Sequence, residues 1–457
     1  MAYSNITSAS NAQNANIPLG LLIQIAFSNG IRNQISTDYR DYEMVKRAKV
    51  ANSLARELRF MFQTSLGPAA IQYANPGTPS RAFPGSQNVS LQEYAAVLKE
   101  MDSTIEVDYA VFDRARKNPE KYGDPIQIEV ESKLSAAKRR LAADLYGDGT
   151  GVLGTISSAT TSGSSAVITL STSGRGHVGL FEFDDLLVSY TAGGSAASPT
   201  VSGGTFSAWK VLSKNRDTNQ VTLQAVSSSG AALTITGYTP TAGDVLYRFG
   251  QPTKNINLSS ISDYGTVSEV MAGLESLAAW DGRVIHGITM SGATAATRYD
   301  AGGNPLDVKH IQKLMSAVKL AVGQDRYRWK MLTMAPESHN TLIESRETDR
   351  RFQTIDDNKR GVKFFAYVHG NDVLECNESE FCPQNKIYCL PETKGGEKVL
   401  EFHGSDFETV KGQDMTDFHL KVDGGYRNSM VSYLNAKGVL ICKHPASIGV
   451  IDGFTNS

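Results

Sequence analysis

The sequence predicts an α+β protein that carries a small all-β module inside it. Three observations point there. At 457 residues the chain is too long for one compact core, so two or three domains are expected. A continuous amphipathic helix is written between Pro125 and Tyr146. Directly after it, from Thr155 to Gly250, the composition shifts to Ser, Thr, Gly and Ala with strand signals only, and mixed α/β character then resumes.

The helix has the fullest set of signals. Asp124 is its N-cap, Pro125 takes the first helical position, and Gln127 holds the capping-box position. Ile126, Val130, Leu134, Ala137, Leu141 and Leu145 form one apolar stripe, with steps of four, four, three, four and four residues. At 1.5 Å per residue the run is about 33 Å long. Gly147 is expected to close it as a left-handed cap.

What precedes the helix is less regular. Residues 1–37 are rich in Asn, Ser and Ala, with no charged side chain before Arg32. A secretory signal needs a cationic start, so this is not read as one. Its apolar piece "LGLLIQIAF" falls short of the roughly 20 residues that span a bilayer. We expect an arm whose Leu21, Leu22, Ile25 and Phe27 are buried against the chain or a neighbouring subunit. From Asp38 to Phe62 an amphipathic helix is expected, because Val50, Leu54, Leu58 and Met61 recur at helical spacing until Gly67-Pro68. "AAIQYA" and "TIEVDY", the latter alternating Ile105, Val107 and Tyr109 with polar residues, predict two strands joined by "NPGTPSRAFPGS", which includes Phe83. Such a ribbon cannot stand alone, so it should lie on something else.

After the helix, "GDGTGVLG" contains Gly149-x-Gly151-x-x-Gly154, the spacing of a dinucleotide loop. That loop needs a strand before it and a helix after it, because the helix N-terminus binds the pyrophosphate. Here the order is reversed, so the glycines end a helix and turn the chain. A calcium loop fails because Tyr146 and Thr155 stand at ligand positions, and a phosphate loop fails because Thr155-Ile156 replaces Lys-Ser/Thr.

In the module, "SAVITL", "DDLLVSY", "FSAWKVL", "NQVTLQAV", "ALTITGY" and "DVLYRF" predict six short strands, hence a barrel or sandwich. Arg175, Lys210, Lys214, Arg216 and Arg248 are matched by Glu182, Asp184, Asp185, Asp217 and Asp244. Further on, Val308, Ile311, Leu314, Met315, Val318 and Val322 predict a helix closed by Gly323. "WKMLTMAP" reads as a buried strand and "ESHNTLIES" as a short helix. "RETDRRFQTIDDNKRG" reads as an exposed loop, and "KFFAYV", "DVLEC", "KIYCL", "FHLKV", "SMVSYL" and "GVLICK" as strands.

Chemistry is sparse. A net charge of −2 argues against a dedicated nucleic-acid binder, and four cysteines make no disulfide scaffold. Cys376, Cys382 and Cys389 are spaced too widely for a zinc site, with Cys442 far downstream. His339, at a helix start, reads as structural. No nucleophile elbow or singled-out carboxylate pair appears, so no catalytic residue, metal or cofactor is expected.

The order of parts resembles the major capsid protein of tailed bacteriophages, the Hong Kong 97-like fold. The residues that carry the likeness are "AADLYGDGTGVLGTI" at the helix end, "GLESLAAW" from Gly273, "MLTMAPESHNTL" from Met331 and "GDVLYRFG" closing the module. The resemblance implies an N-terminal arm at 1–37 and an extended E-loop hairpin at 67–108. It implies a P-domain at 38–66 and 109–154 with a spine helix at 125–146, and an insertion domain at 155–250. An A-domain at 251–400 and returning C-terminal strands at 401–457 complete it. Leu21, Leu22, Ile25, Phe27, Phe83, Ile105, Val107 and Tyr109 would then be contacts between subunits.

It also implies self-assembly into pentamers and hexamers of an icosahedral shell around double-stranded DNA, held without sequence-specific binding and with no membrane. A portal and a decoration or cement protein would be partners, and so would a separate scaffolding protein, the last because the arm is short and neutral and not a long charged scaffold region. The virion, assembled in the host cytoplasm, is the implied location. Lys99 is the one lysine of the candidate E-loop, and crosslinking partners for it are not matched. An encapsulin-like shell, or a β-rich adhesin or carbohydrate-binding enzyme, are the alternatives.

Overall fold

The computed structural model describes residues 41, 44–49, 57–65, 90–108, 125–172, 175–249, 262–264, 270–322, 327–345, 366–369, 372–393, 395–404, 408–409, 419–423 and 427–456. By contacts the chain divides into two units, one of Met1–Tyr39, Glu100–Arg140 and Ser405–Lys437, the other of Arg40–Lys99, Leu141–Gly404 and Gly438–Ser457.

The described chain opens with four strands: β1 Lys46–Lys49, β2 Glu57–Ser65, β3 Ser90–Val97 and β4 Lys99–Asp108. The helix expected over Asp38–Phe62 is therefore corrected to strands. Leu58 and Met61 decide the matter: on a helix they share a face, yet Leu58 is half-buried while Met61 is 67% exposed. Alternation places Leu58 and Phe60 inward and Glu57, Arg59 and Met61 outward, the period of a strand. β2 and β3 form an antiparallel ribbon with Phe60 opposite Tyr94 and Leu58 opposite Ala96. Arg59 ties its outer face to Glu57 at 2.9 Å and Glu93 at 3.0 Å. The expected strand "TIEVDY" is found within β4, which runs to Asp108. "AAIQYA" lies outside the described residues, and Ile105 and Val107 stand on β4, which pairs elsewhere.

Helix α1 runs Pro125–Asp144, two residues shorter at its end than the apolar stripe suggested. Gly147 is not left-handed; the positive φ values fall on Gly149 and Gly151, both +78°. The helix instead ends in tight turns, Tyr146 N to Ala143 O at 3.1 Å and Gly147 N to Asp144 O at 3.1 Å.

The module follows as β5 Gly154–Ser162, β6 Ser165–Leu170, β7 Leu186–Tyr190, β8 Thr200–Ser202, β9 Ala208–Asn215, β10 Gln220–Val226, β11 Thr234–Gly237 and β12 Val245–Arg248. Six of these close a barrel in the order β10-β6-β5-β12-β7-β9. Closure leaves no free edges. Ile156, Ile168, Leu187, Trp209, Val221 and Leu223 are fully buried there. The expected strand "ALTITGY" lies outside the barrel, because β11 pairs with β8, and β5 takes the sixth place.

Beyond come β13 Val284–Ile285, β14 Ile288–Thr289, β15 Thr297–Asp300, β16 Tyr327–Met334, β17 Ala366–His369, β18 Asp372–Glu378 and β19 Lys386–Thr393. The end is β20 Leu400–Gly404, β21 Glu408–Thr409, β22 His419–Asp423, β23 Arg427–Cys442 and β24 Gly449–Asp452. Between them lie α2 Leu274–Leu277, α3 Val308–Val322 and α4 Pro336–Glu344. A mixed sheet β15-β24-β19-β16-β18-β17 carries α3, whose Val308, Ile311, Leu314, Met315 and Val318 pack with Trp329, Leu332, Ile387 and Ile451 in the main core. The two strands expected at "SMVSYL" and "GVLICK" are one, β23, without the intervening turn. In the smaller unit β4, β21 and β22 pair with β23; in the larger, β20 pairs with β23 and β1 runs parallel to β20. The charged stretch 346–361 lies outside the described residues.

Candidate functional site

The glycine turn after α1 is a chain crossing. Gly273 N donates to Gly147 O at 3.0 Å and Leu274 N to Leu145 O at 2.6 Å, so the start of α2 is stitched to the end of α1. A Cβ on Gly149 would lie 3.0 Å from the Tyr264 carbonyl and 3.3 Å from Ala272 Cα. The glycines therefore let protein backbones approach one another. Asp148, buried beside them, accepts from Thr150 N at 2.9 Å, while its carbonyl accepts from the Ser276 hydroxyl.

Arg175, from the barrel segment, completes the node. Its Nη1 donates to Asp148 Oδ2 at 2.9 Å and its Nη2 to the Tyr264 hydroxyl at 2.7 Å. Burial works against the charge, but Asp148 and Tyr264 outweigh it and raise the guanidinium above its ordinary value. A second tie joins the barrel to the body: Arg216 meets Glu337 at 2.6 Å and donates to the Glu380 carbonyl at 2.7 Å. These bonds fix the barrel without using its core.

The ribbon base is held by another device. Tyr94, Ala96 and Leu98 pack with Ile288, Val439 and Ile441, and Leu58 and Phe60 lean on them. The β13–β14 turn is His286-Gly287, with φ of 53° and 84°, the two positive values of a type I′ hairpin. Asp263 caps it, accepting from His286 N at 2.9 Å and Gly287 N at 2.6 Å. The His286 carbonyl accepts from Ala95 N at 3.0 Å, and its ring lies 4.8 Å from that of Tyr94. Its ring nitrogens face the backbone of Leu440 and Ala95 without closing a hydrogen bond of good geometry.

This imidazole is lowered to about 4, by burial first, with Asp263 opposing and Lys99 adding to the fall. The unfolded chain takes up the proton near pH 6.5, before the folded chain does. Stability from this site is therefore whole above that pH, declines as acid is added, and levels off near pH 4. A gap of that size corresponds to about 3 kcal/mol. His177, lowered to about 3 by burial and by Arg216, acts in the same direction. His286→Asn, whose side chain tolerates a positive φ, is expected to flatten the loss of stability between about pH 7 and pH 4.5. Equal acid slopes for variant and wild type, read from denaturation midpoints, would refute this.

Among the described residues, no group of three or more His, Cys, Asp or Glu is placed to hold a metal ion. All four thiols are buried, and burial pushes Cys376 and Cys442 up to about 12. His339 sits in α4 against Glu378. A cleft of about 480 Å³ is lined by Trp280, Arg298, Lys386 and Asp452, whose charges are paired within the protein. Arg298 meets Asp452 at 2.9 Å and Lys386 meets Glu275 at 2.5 Å. No helix of the described residues is long and apolar enough to cross a membrane.

Of the residues singled out in the sequence, Leu141 and Leu145 are buried and Leu134 is half-buried. Pro125 begins α1, which also carries Ile126 and Val130; the side chains of those two, like those of Ile105 and Val107 on β4, lie outside the described residues. Leu21, Leu22, Ile25, Phe27, Phe83, Tyr109 and Asp124 lie outside them altogether. Sequence reasoning missed Arg175, Tyr264 and Asp263, which carry no local signal. The His286-Gly287 turn did leave one, a Gly-containing pair between "VI" and "IT".

No protein-family model matches the sequence, and no curated protein matches it. Solved structures do. A cyanophage A-1(L) capsid chain aligns with 94% of this chain and 97% of its own length at 10% identity, with a TM-score of 0.51. A native GTA particle capsid aligns with 98% of this chain and all of its own, at 9% identity and a TM-score of 0.46. An encapsulin complex from Synechococcus elongatus PCC 7942 covers 95% of this chain and 94% of its own, at 9% identity and a TM-score of 0.42. The cyanophage match carries the assignment: the chain has the fold of a tailed-phage major capsid protein. At this identity the likeness defines the fold.

Proposed function

We propose that the chain is the major capsid protein of a tailed double-stranded DNA bacteriophage, forming pentamers and hexamers of an icosahedral shell around the genome. The observation that carries this reading is the agreement with a phage capsid chain along nearly the whole length of both. A near-neutral chain suits a wall that contains DNA without gripping it. In this reading α1 is the spine helix of the P-domain, β3 and β4 belong to the E-loop at 67–108, and the barrel is an insertion domain on an A-domain and P-domain body. Leu21, Leu22, Ile25, Phe27, Phe83, Ile105, Val107 and Tyr109 remain proposed contacts between subunits. A scaffolding protein, a portal and a decoration or cement protein are the proposed partners, and the virion, assembled in the host cytoplasm, the proposed location.

Negative-stain microscopy of the expressed chain, alone and with any scaffolding protein encoded beside it, tests this. Rings of five and six or uniform closed shells are expected, and dispersed monomers under every condition would overturn the reading. Enclosed protein cargo in place of DNA would favour the encapsulin-like alternative.

A further inference from the structure

Among the described residues β3 pairs with no strand but β2, and one backbone hydrogen bond, Ala95 N to His286 O at 3.0 Å, joins it to the body. The rest of the hold is apolar: Tyr94, Ala96 and Leu98 lie on Ile288, Val439 and Ile441. A two-stranded ribbon is marginal without such support. The packing at its base therefore decides whether the ribbon stays down.

His286 lies inside that packing. It is fully buried, its ring is 4.8 Å from the Tyr94 ring, and neither ring nitrogen closes a hydrogen bond. The other inward ring of the ribbon also meets a histidine, since Phe60 lies 6.4 Å from Tyr94 and 5.6 Å from His403. The two imidazoles differ in what faces them. His403 Nε2 has Glu401 Oε2 at 3.2 Å, so a proton gained there is met by a carboxylate. No carboxylate is bonded to the His286 ring. Both oxygens of Asp263 are engaged by the backbone N–H groups of His286 and Gly287, and Lys99, buried where β4 begins, brings a positive charge. Tyr94 and, beside it, Cys442 are held neutral by burial. Glu93, on the outer face of β3, is taken up by Arg59 at 3.0 Å.

We propose that His286 makes the ribbon a proton-operated latch: a proton on its ring releases β2–β3 from β14 and β23 before the rest of the fold opens. An imidazolium in that position has neither water nor a hydrogen-bonded counter-charge. Lifting β3 removes the Tyr94 and Ala95 side of its enclosure and lets water reach the ring. The open ribbon then takes up the proton near pH 6.5 and the closed one near pH 4. Acid therefore favours opening from about pH 6.5 downward and adds nothing further below about pH 4. Between pH 7 and pH 5 the open population is expected to rise about 20-fold. This goes beyond the shell reading and applies to the unassembled chain.

Hydrogen exchange of the full chain tests this, followed by peptide at pH 7 and pH 5 in low denaturant and corrected for the intrinsic pH dependence of exchange. Peptides covering Tyr94–Val97 are expected to exchange through an opening with a smaller denaturant dependence than peptides of α3, and about 20-fold faster at pH 5 than at pH 7. His286→Asn is expected to abolish that acceleration and keep the turn, because Asn accepts a positive φ. Equal rates and denaturant dependence for the ribbon and α3 would show that the molecule opens as a whole. An unchanged ribbon rate at pH 5, or acceleration that survives in His286→Asn, would show that this imidazole works no latch. Each of these results overturns the proposal. If the variant does not fold, a pH series on the wild type decides. The rise is expected to follow uptake of one proton and to level off near pH 4; a rise that steepens further below that pH would assign the opening to carboxylates and overturn the latch.

Discussion

Gly273→Ala is expected to cost about 3 kcal/mol or more. The backbone of Gly273 is extended, with φ of −93°, so the penalty is steric alone. A Cβ there would lie 2.4 Å from Asp144 O, 2.6 Å from Gly147 N and 2.7 Å from Gly147 O. All three are backbone atoms, fixed by the hydrogen bonds that join α2 to the end of α1, so no flexible side chain can yield. Relief requires the two segments to part, which breaks the Gly273–Gly147 and Leu274–Leu145 bonds together. Gly193→Ala is the matched control, because its nearest neighbour would be the Thr191 hydroxyl at 3.9 Å. It should stay within about 0.5 kcal/mol of wild type. Chemical denaturation of both variants decides the point: a Gly273→Ala midpoint equal to that of the control would show that the crossing is looser than described.

Arg175→Ala is expected to cost about 3 kcal/mol, for a different reason. Asp148 is buried, and removing the guanidinium at 2.9 Å leaves a carboxylate with its charge uncompensated. Tyr264 loses the donor at 2.7 Å to its hydroxyl and the cation at 5.1 Å from its ring centre. The same change removes the Arg175 side-chain tie between the barrel segment and the α1 turn, while the Arg216 and Lys214 contacts with the body remain. Adding Asp148→Asn should recover part of the loss, since a neutral amide no longer demands a counter-charge. If the single variant cost under about 1 kcal/mol at neutral pH, the pair would behave like a surface ion pair and the node would not be structural.

The elements legible in the sequence are those whose signals are local. α3 is written in its own stripe of Val308, Ile311, Leu314, Met315 and Val318, which the structure buries on one face. The barrel strands at Ser165–Leu170, Leu186–Tyr190 and Gln220–Val226 alternate as half-buried strands should. The reversed order of helix and glycines around "GDGTGVLG" was enough to read the loop as a turn. The failures are equally physical. Over Glu57–Ser65 the apolar spacing fits both periods, because Leu54, Leu58 and Met61 are helical neighbours while Leu58, Phe60 and Phe62 alternate. Pairing with Ser90–Val97 and packing on Ile288 and Val439 settled the choice, and those partners are distant in sequence. Likewise the sequence points to Gly147 as the cap, but where Gly273 and Ala272 approach the turn the left-handed residues are Gly149 and Gly151.

By itself, then, the sequence determined the long helix, the all-β module and the order of parts that resembles a phage capsid protein, because propensity and periodicity act within a few residues. The tertiary structure alone decided the closure of the barrel, the strands of the ribbon and the Arg175–Asp148 node. Each of these depends on which distant segment fills a surface, and a linear pattern states what a segment can bury without stating what will cover it.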